Sequence, residues 1–175
     1  MAHSFNNLIK PSTLWAEEVT NRVKALEDAP PGIFGALVYG SEFQSIANSS
    51  NTIVEDWDTV VYDDLGFFNI IQPDILTIPD TDPVIERVQI YYQYSWQPNV
   101  TGIRSFFIEQ TDIGNIRGGI ADAGIQTQAA APLLQTAYSM PIPCVPGDYF
   151  RIITRQESGI ALLLGLQGFG ITVAK

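Results

Sequence analysis

Five large apolar side chains stand at every second position from Val88 to Trp96: Val88, Ile90, Tyr92, Tyr94 and Trp96, with Gln89, Tyr91, Gln93 and Ser95 between them. A period of two is the spacing of a strand with two unlike faces, and a helix cannot gather such residues on one side. Val84 to Trp96 is therefore predicted as a strand. Asn99-Val100-Thr101-Gly102 turns it into a second, Ile103 to Gln110, where Ile103, Ser105, Phe107 and Glu109 alternate with Arg104, Phe106, Ile108 and Gln110.

Short strands and turns also fill the flanking sequence. Ile33 to Tyr39 and Phe43 to Ile46 are short apolar runs, Asn48-Ser49-Ser50-Asn51 is a loop, and Thr52 to Tyr62 mixes β-branched and aromatic residues with acids. Leu65 to Ile71 and Ile75 to Pro79 are further apolar runs separated by Gln72-Pro73-Asp74, and Leu133 to Met140 is another strand. Gly114 to Gly124 reads as a loop or a bulged strand, and Gln126 to Ala131 as a helical turn or an edge strand. Pro146-Gly147-Asp148 bends the chain into the strand Tyr149 to Arg155, which Gln156-Glu157-Ser158-Gly159 ends. Ile160 to Gly165 and Phe169 to Ala174 are expected as a strand pair joined by a glycine-containing turn, slotted into the centre of the sheet. This spacing indicates an all-β sandwich. With 175 residues, 46% of them hydrophobic, the chain can bury one core, so one domain (33–175) with an appendage (1–32) is expected.

The appendage has a different period. After Ser12 and Thr13, which are capping types, Trp15, Val19, Val23 and Leu26 recur at helical spacing, and Glu17 and Glu18 lie where the helix dipole favours anions. An amphipathic helix is predicted to end near Glu27, before the hinge Ala29-Pro30-Pro31-Gly32. A helix of about fifteen residues is marginal alone in water, so its stripe needs a surface. That surface is either a partner beyond the hinge or an open end of the sandwich.

Three stretches, in this order, carry a resemblance. They are Phe67 through Pro79 with Ile75-Leu76-Thr77-Ile78-Pro79; Gln89 to Trp96 leading into Gly102-Ile103-Arg104; and Pro146-Gly147-Asp148-Tyr149-Phe150 with Gln156 and Ser158-Gly159 after it. Together they resemble the C1q/TNF-like jelly rolls of bacteriophage structural proteins, over about residues 33–175. The family usually has a glycine-aromatic pair before its long strand, where this chain has Val84-Ile85-Glu86-Arg87. The resemblance implies a homotrimer about a three-fold axis, with the N-terminal helix as an attachment stem. On that basis Trp15, Val19, Val23 and Leu26 are expected to attach the chain to a major capsid protein or another virion protein. Tyr92, Tyr94, Phe107, Tyr149 and Leu163 are expected at the trimer interface. A capsid decoration (cement) or head-spike protein on the virion surface is the role expected. A tail-fibre or baseplate knob recognising a host glycan or surface protein is the alternative.

Little in the chain points to catalysis. One histidine, His3, and one cysteine, Cys144, leave no Ser-His-Asp or Cys-His device, and Cys144 lies in a proline-flanked apolar neighbourhood that predicts an inert packed thiol. Paired acids suit a glycosidase by residue type alone. Gly165-Leu166-Gln167-Gly168-Phe169-Gly170 lacks the spacing of a dinucleotide fingerprint. Nine acids from Glu55 to Glu86 occur with no basic residue between them, and Asp56/Asp58 and Asp80/Asp82 are spaced to share calcium on an extended segment. A solvated acidic surface is the plainer reading, and no cofactor is expected otherwise; a calcium-dependent lectin-like module is a third possibility for function. Tyr91, with Tyr39, Trp57 and Trp96, suggests an aromatic sugar platform, a trimer interface or sheet packing. The net charge of −10 opposes nucleic acid and anionic lipid. No signal peptide is visible, and Gly159 to Ala174 is too short at sixteen residues for the ~20 needed to span a bilayer, so membrane insertion is not expected.

Overall fold

A computed structural model of the chain describes residues 34–55, 57–112, 119–126 and 134–174. The predicted helix with Trp15, Val19, Val23 and Leu26, the hinge, His3 and Asp56 lie outside the described residues.

Among the described residues the chain forms twelve strands: β1 (Gly35–Gly40), β2 (Gln44–Ile46), β3 (Thr52–Ile53), β4 (Thr59–Asp63), β5 (Leu76–Thr77), β6 (Arg87–Trp96), β7 (Arg104–Thr111), β8 (Gly119–Gln126), β9 (Leu134–Tyr138), β10 (Ile142–Pro143), β11 (Tyr149–Gln156) and β12 (Leu162–Val173). They make two sheets. The first runs β10-β6-β12-β1-β4, with β2 also on β12 and β9 also on β6; the second runs β3-β11-β7-β8, with β5 also on β11. All the strand pairings are antiparallel.

The alternation in β6 places its apolar side inward. Val88, Ile90, Tyr92, Tyr94 and Trp96 all join the core, opposite Phe106 and Ile108 of β7 and Phe150 and Ile152 of β11. Tyr92 and Tyr94 stack with ring centroids 4.8 Å apart, and each meets Phe106 at 5.5 Å. Trp57 closes the other part of the core against Phe169 at 5.4 Å. Each such side chain contributes about 1.5–3 kcal/mol by leaving water.

Two expectations are corrected. The C-terminal segment is one strand, β12, rather than a strand pair. Against β6 its register advances from Gly165↔Ser95 to Gly168↔Gln93, so one extra residue is taken up as a bulge. The glycines there seat rings instead of turning the chain: a Cβ on Gly165 would overlap the Phe43 ring, and one on Gly168 would approach Tyr39 to 2.6 Å. β12 does lie centrally, between β6 and β1. The apolar run Leu65 to Ile71 makes only an isolated bridge, Phe68↔Leu76, and then turns. The Asp63 carboxylate accepts the backbone N–H groups of Gly66, Phe67 and Phe68 at 2.9, 2.9 and 3.0 Å, which draws that run into a loop. Between Gly114 and Gly124, the described part is strand, with a register shift against β7 at Ile108/Glu109.

Candidate functional site

The first sheet has a second face, turned away from the core. Strand register aligns Tyr138, Tyr91, Gly170, Leu37 and Tyr62 in one row across β9, β6, β12, β1 and β4. The next row holds Thr136, Gln93, Gly168, Tyr39 and Thr59. Tyr91 and Tyr138 meet at 5.2 Å, and the Tyr39 hydroxyl donates to Gln93 Oε1 at 3.4 Å. The glycines of β12 leave no side chain between these rings, so the aromatic groups lie low across the middle of the sheet. Tyr138 and Phe43 are 66% and 67% exposed, and Leu163 stands near the Phe43 end of the same face. Burial and the nearby Asp64 raise the pKa of Tyr62. The face is apolar and hydrogen-bonding with little charge, the composition of a protein–protein contact.

The residues expected at a trimer interface do not come together. Tyr92 and Tyr94 lie in the sandwich interior, and the reason is parity: it is Tyr91, with Gln89 and Gln93, that shares the outer face. Burial raises the pKa of Tyr94 to about 12 and that of Tyr92 well above its usual value. Phe107 and Tyr149 are half-buried on the outer face of the second sheet, beside the core residues Phe106 and Phe150. Only Leu163 belongs to the Tyr91 face. Of the proposed sugar platform, Trp57 and Trp96 are spent in the core, while Tyr39 and Tyr91 remain on the face.

The acidic residues are engaged locally. Asp58 accepts from the Ser41 hydroxyl and from Thr59 Oγ1, and the Ser41 hydrogen bond chiefly lowers its pKa. Asp80 and Asp82 are exposed beside the cis Asp82-Pro83 peptide. Among the described residues no group of three His, Cys, Asp or Glu side chains is gathered as a metal site requires. Cys144 is buried, its S–H directed to the Ile85 carbonyl at 3.7 Å, and burial with the nearby Asp148 pushes its pKa up to about 11. A thiol held in that state is a poor nucleophile.

The motif Gly102-Ile103-Arg104 has a structural role that spacing does not reveal. Gly102 has φ +76°, and a Cβ there would overlap the Glu157 carbonyl. Arg104 is buried beside Tyr92, Tyr94 and Trp96, with Nη2 donating to the Asn99 carbonyl at 2.7 Å. Burial lowers its pKa. Among the described residues its Nε and Nη1 have no partner.

Two antiparallel sheets of this order, closed by a central last strand, define a TNF-like jelly roll. Solved structures bear that out. Eiger TNF from S. frugiperda matches with a TM-score of 0.56 and 9% identity, over 82% of this chain and 93% of that one. Murine APRIL matches with a TM-score of 0.57 and 16% identity, over 81% of this chain and 99% of that one. At such identities the likeness is one of fold. No family model matches the chain, and no curated protein sequence matches it.

Proposed function

We propose that the chain is a non-enzymatic binding module that works as a homotrimer, with the Tyr91 face of the first sheet packed between copies. The observation that carries this reading is the row Tyr138-Tyr91-Leu37-Tyr62, an aromatic band on a sheet face that the protomer's own core leaves outside. Identical copies supply the complementary surface that such a band needs, and closed symmetry covers it three times over. We assign the module no cofactor.

The context we propose for it is a phage virion, where the knob is a capsid decoration or head-spike protein held by residues 1–32. The ordered phrases from Phe67 to Gly159 support that context, together with the helical spacing of Trp15, Val19, Val23 and Leu26. Weak attachment by each stem suffices, because three linked stems bind by avidity. Antibody to this chain should decorate phage heads in many copies, and labelling confined to the tail would turn the reading to the receptor-binding knob. Val19→Asp should abolish attachment to the particle while the circular dichroism of the β domain stays unchanged. An attached Val19→Asp protein would remove the stem from the account.

A further inference from the structure

The second sheet carries a separate feature on its outer face. A cleft of about 340 Å³ is lined by Gln72, Asp74, Thr77, Gly147, Tyr149 and Arg151, with Ile75 its one aliphatic wall. That volume is at the low end of small-molecule sites and has room for about one or two sugar rings. We propose that this cleft binds a neutral saccharide.

The chemistry of the lining selects the ligand class. A phenol ring offers a flat face for the C–H groups of a pyranose. Around it stand an amide, a carboxylate, a hydroxyl and a guanidinium, side chains that together give and accept several hydrogen bonds. Arg151 is already ion-paired with Glu109, so its charge is offset, and Asp74 then leaves the cleft slightly negative. An anionic ligand would meet that carboxylate unopposed, whereas a polyol can donate to it. One carboxylate is too few to hold a hard cation.

The walls are fixed before any ligand arrives. Gly147 N–H donates to the Ile78 carbonyl at 2.9 Å and Ile78 N–H to the Asp148 carbonyl at 2.7 Å. The buried Asp148 carboxylate accepts from Val145 N–H and Gln110 Nε2, each at 3.0 Å. On the opposite wall Gln72 N–H donates to the Asn69 carbonyl at 2.9 Å, Ile71 N–H to Asn69 Oδ1 at 3.0 Å, and Thr77 N–H to the Phe67 carbonyl at 2.8 Å. The hydrogen bonds that hold these walls come from backbone and from residues outside the lining. Of the lining side chains Arg151 is held by Glu109, and the fixed backbone of both walls leaves little ordering cost for binding.

The test is a titration of the full chain with neutral monosaccharides and disaccharides, namely glucose, galactose, mannose, N-acetylglucosamine and lactose. It is followed by calorimetry and by amide shifts in the nuclear magnetic resonance spectrum. At least one sugar should shift the amides of Thr77, Gly147 and Arg151. Asp74→Asn and Gln72→Ala, both at the rim, should weaken it tenfold or more without moving the melting temperature. Tyr149→Ala, with its fold checked by circular dichroism, should abolish binding. Absence of binding by every sugar at tens of millimolar would overturn the proposal. So would shifts confined to the Tyr91 face, preference for sialic acid over the neutral sugars, or unchanged affinity in both rim variants. Neither the trimer nor the virion reading is needed for this site, so its failure leaves them standing.

Discussion

Tyr91 and Tyr92 are adjacent in the chain and face opposite ways. Tyr92 is in the core with a hydroxyl that has no partner among the described residues, whereas Tyr91 pairs with Tyr138 outside it. Removing an unpaired buried hydroxyl relieves a desolvation cost of about 1–3 kcal/mol. Tyr92→Phe should therefore be neutral or stabilising by about 1 kcal/mol in urea unfolding, and a loss of that size would mean the hydroxyl is bonded. The buried acids also set a pH dependence. Tyr94 and Cys144 keep their protons to about 12 and about 11 when folded, but release them nearer 10 and 9 when unfolded. The unfolded state then binds fewer protons above about pH 9, so this stability is fully present below pH 9 and is lost as pH rises towards 12. The urea midpoint should fall steadily from pH 8.5 to 11.5, and Tyr94→Phe should flatten part of the fall. A level profile in the parent protein would contradict the assigned burial. At this scale the sequence shows which side chains of β6 share a face. Which face is buried depends on where the second sheet lies, and a single strand's spacing does not hold that information.

Among the elements, the glycines divide into those that turn the chain and those that make room. Gly102 does both: its positive φ starts β7, and the Glu157 carbonyl lies where a Cβ would be. Gly102→Ala should cost at least ~2 kcal/mol, the sum of a left-handed alanine and a displaced backbone. A variant within about 0.5 kcal/mol of the parent would show that the β6–β7 turn yields easily. Gly165 and Gly168 make room only, for Phe43 and Tyr39. Sequence patterns treat both kinds alike, which is why β12 reads as two strands although the sheet accepts it as one with a bulge. Leu65 to Ile71 fails for a different reason. Its apolar content is strand-like, but Asp63 captures three of its backbone donors. The long alternating strands were legible because burying one face decides their state, and short apolar runs were not because a single side-chain acceptor can outweigh their propensity. The cleft was illegible for a similar reason, since Asp74, Gly147 and Tyr149 are brought together only by β5 and β11 pairing at Tyr149↔Thr77.

For the molecule as a whole, the protomer accounts for one side of each sheet. The inner sides fill a common core; the outer side of the second sheet holds the polar cleft, and the outer side of the first holds the aromatic band. In the proposed trimer this band of phenols and amides is the surface that a copy of the chain covers. Acidic repulsion from a net charge of −10 per chain opposes association, so the assembly should hold more firmly as salt rises. Light scattering coupled to size exclusion tests the assembly directly. The parent chain at moderate salt should elute with three times the 19.3 kDa chain mass, and Tyr91→Glu should elute as a folded single chain. A parent protein that stays monomeric at high concentration, or a trimer that Tyr91→Glu leaves intact, would contradict the account.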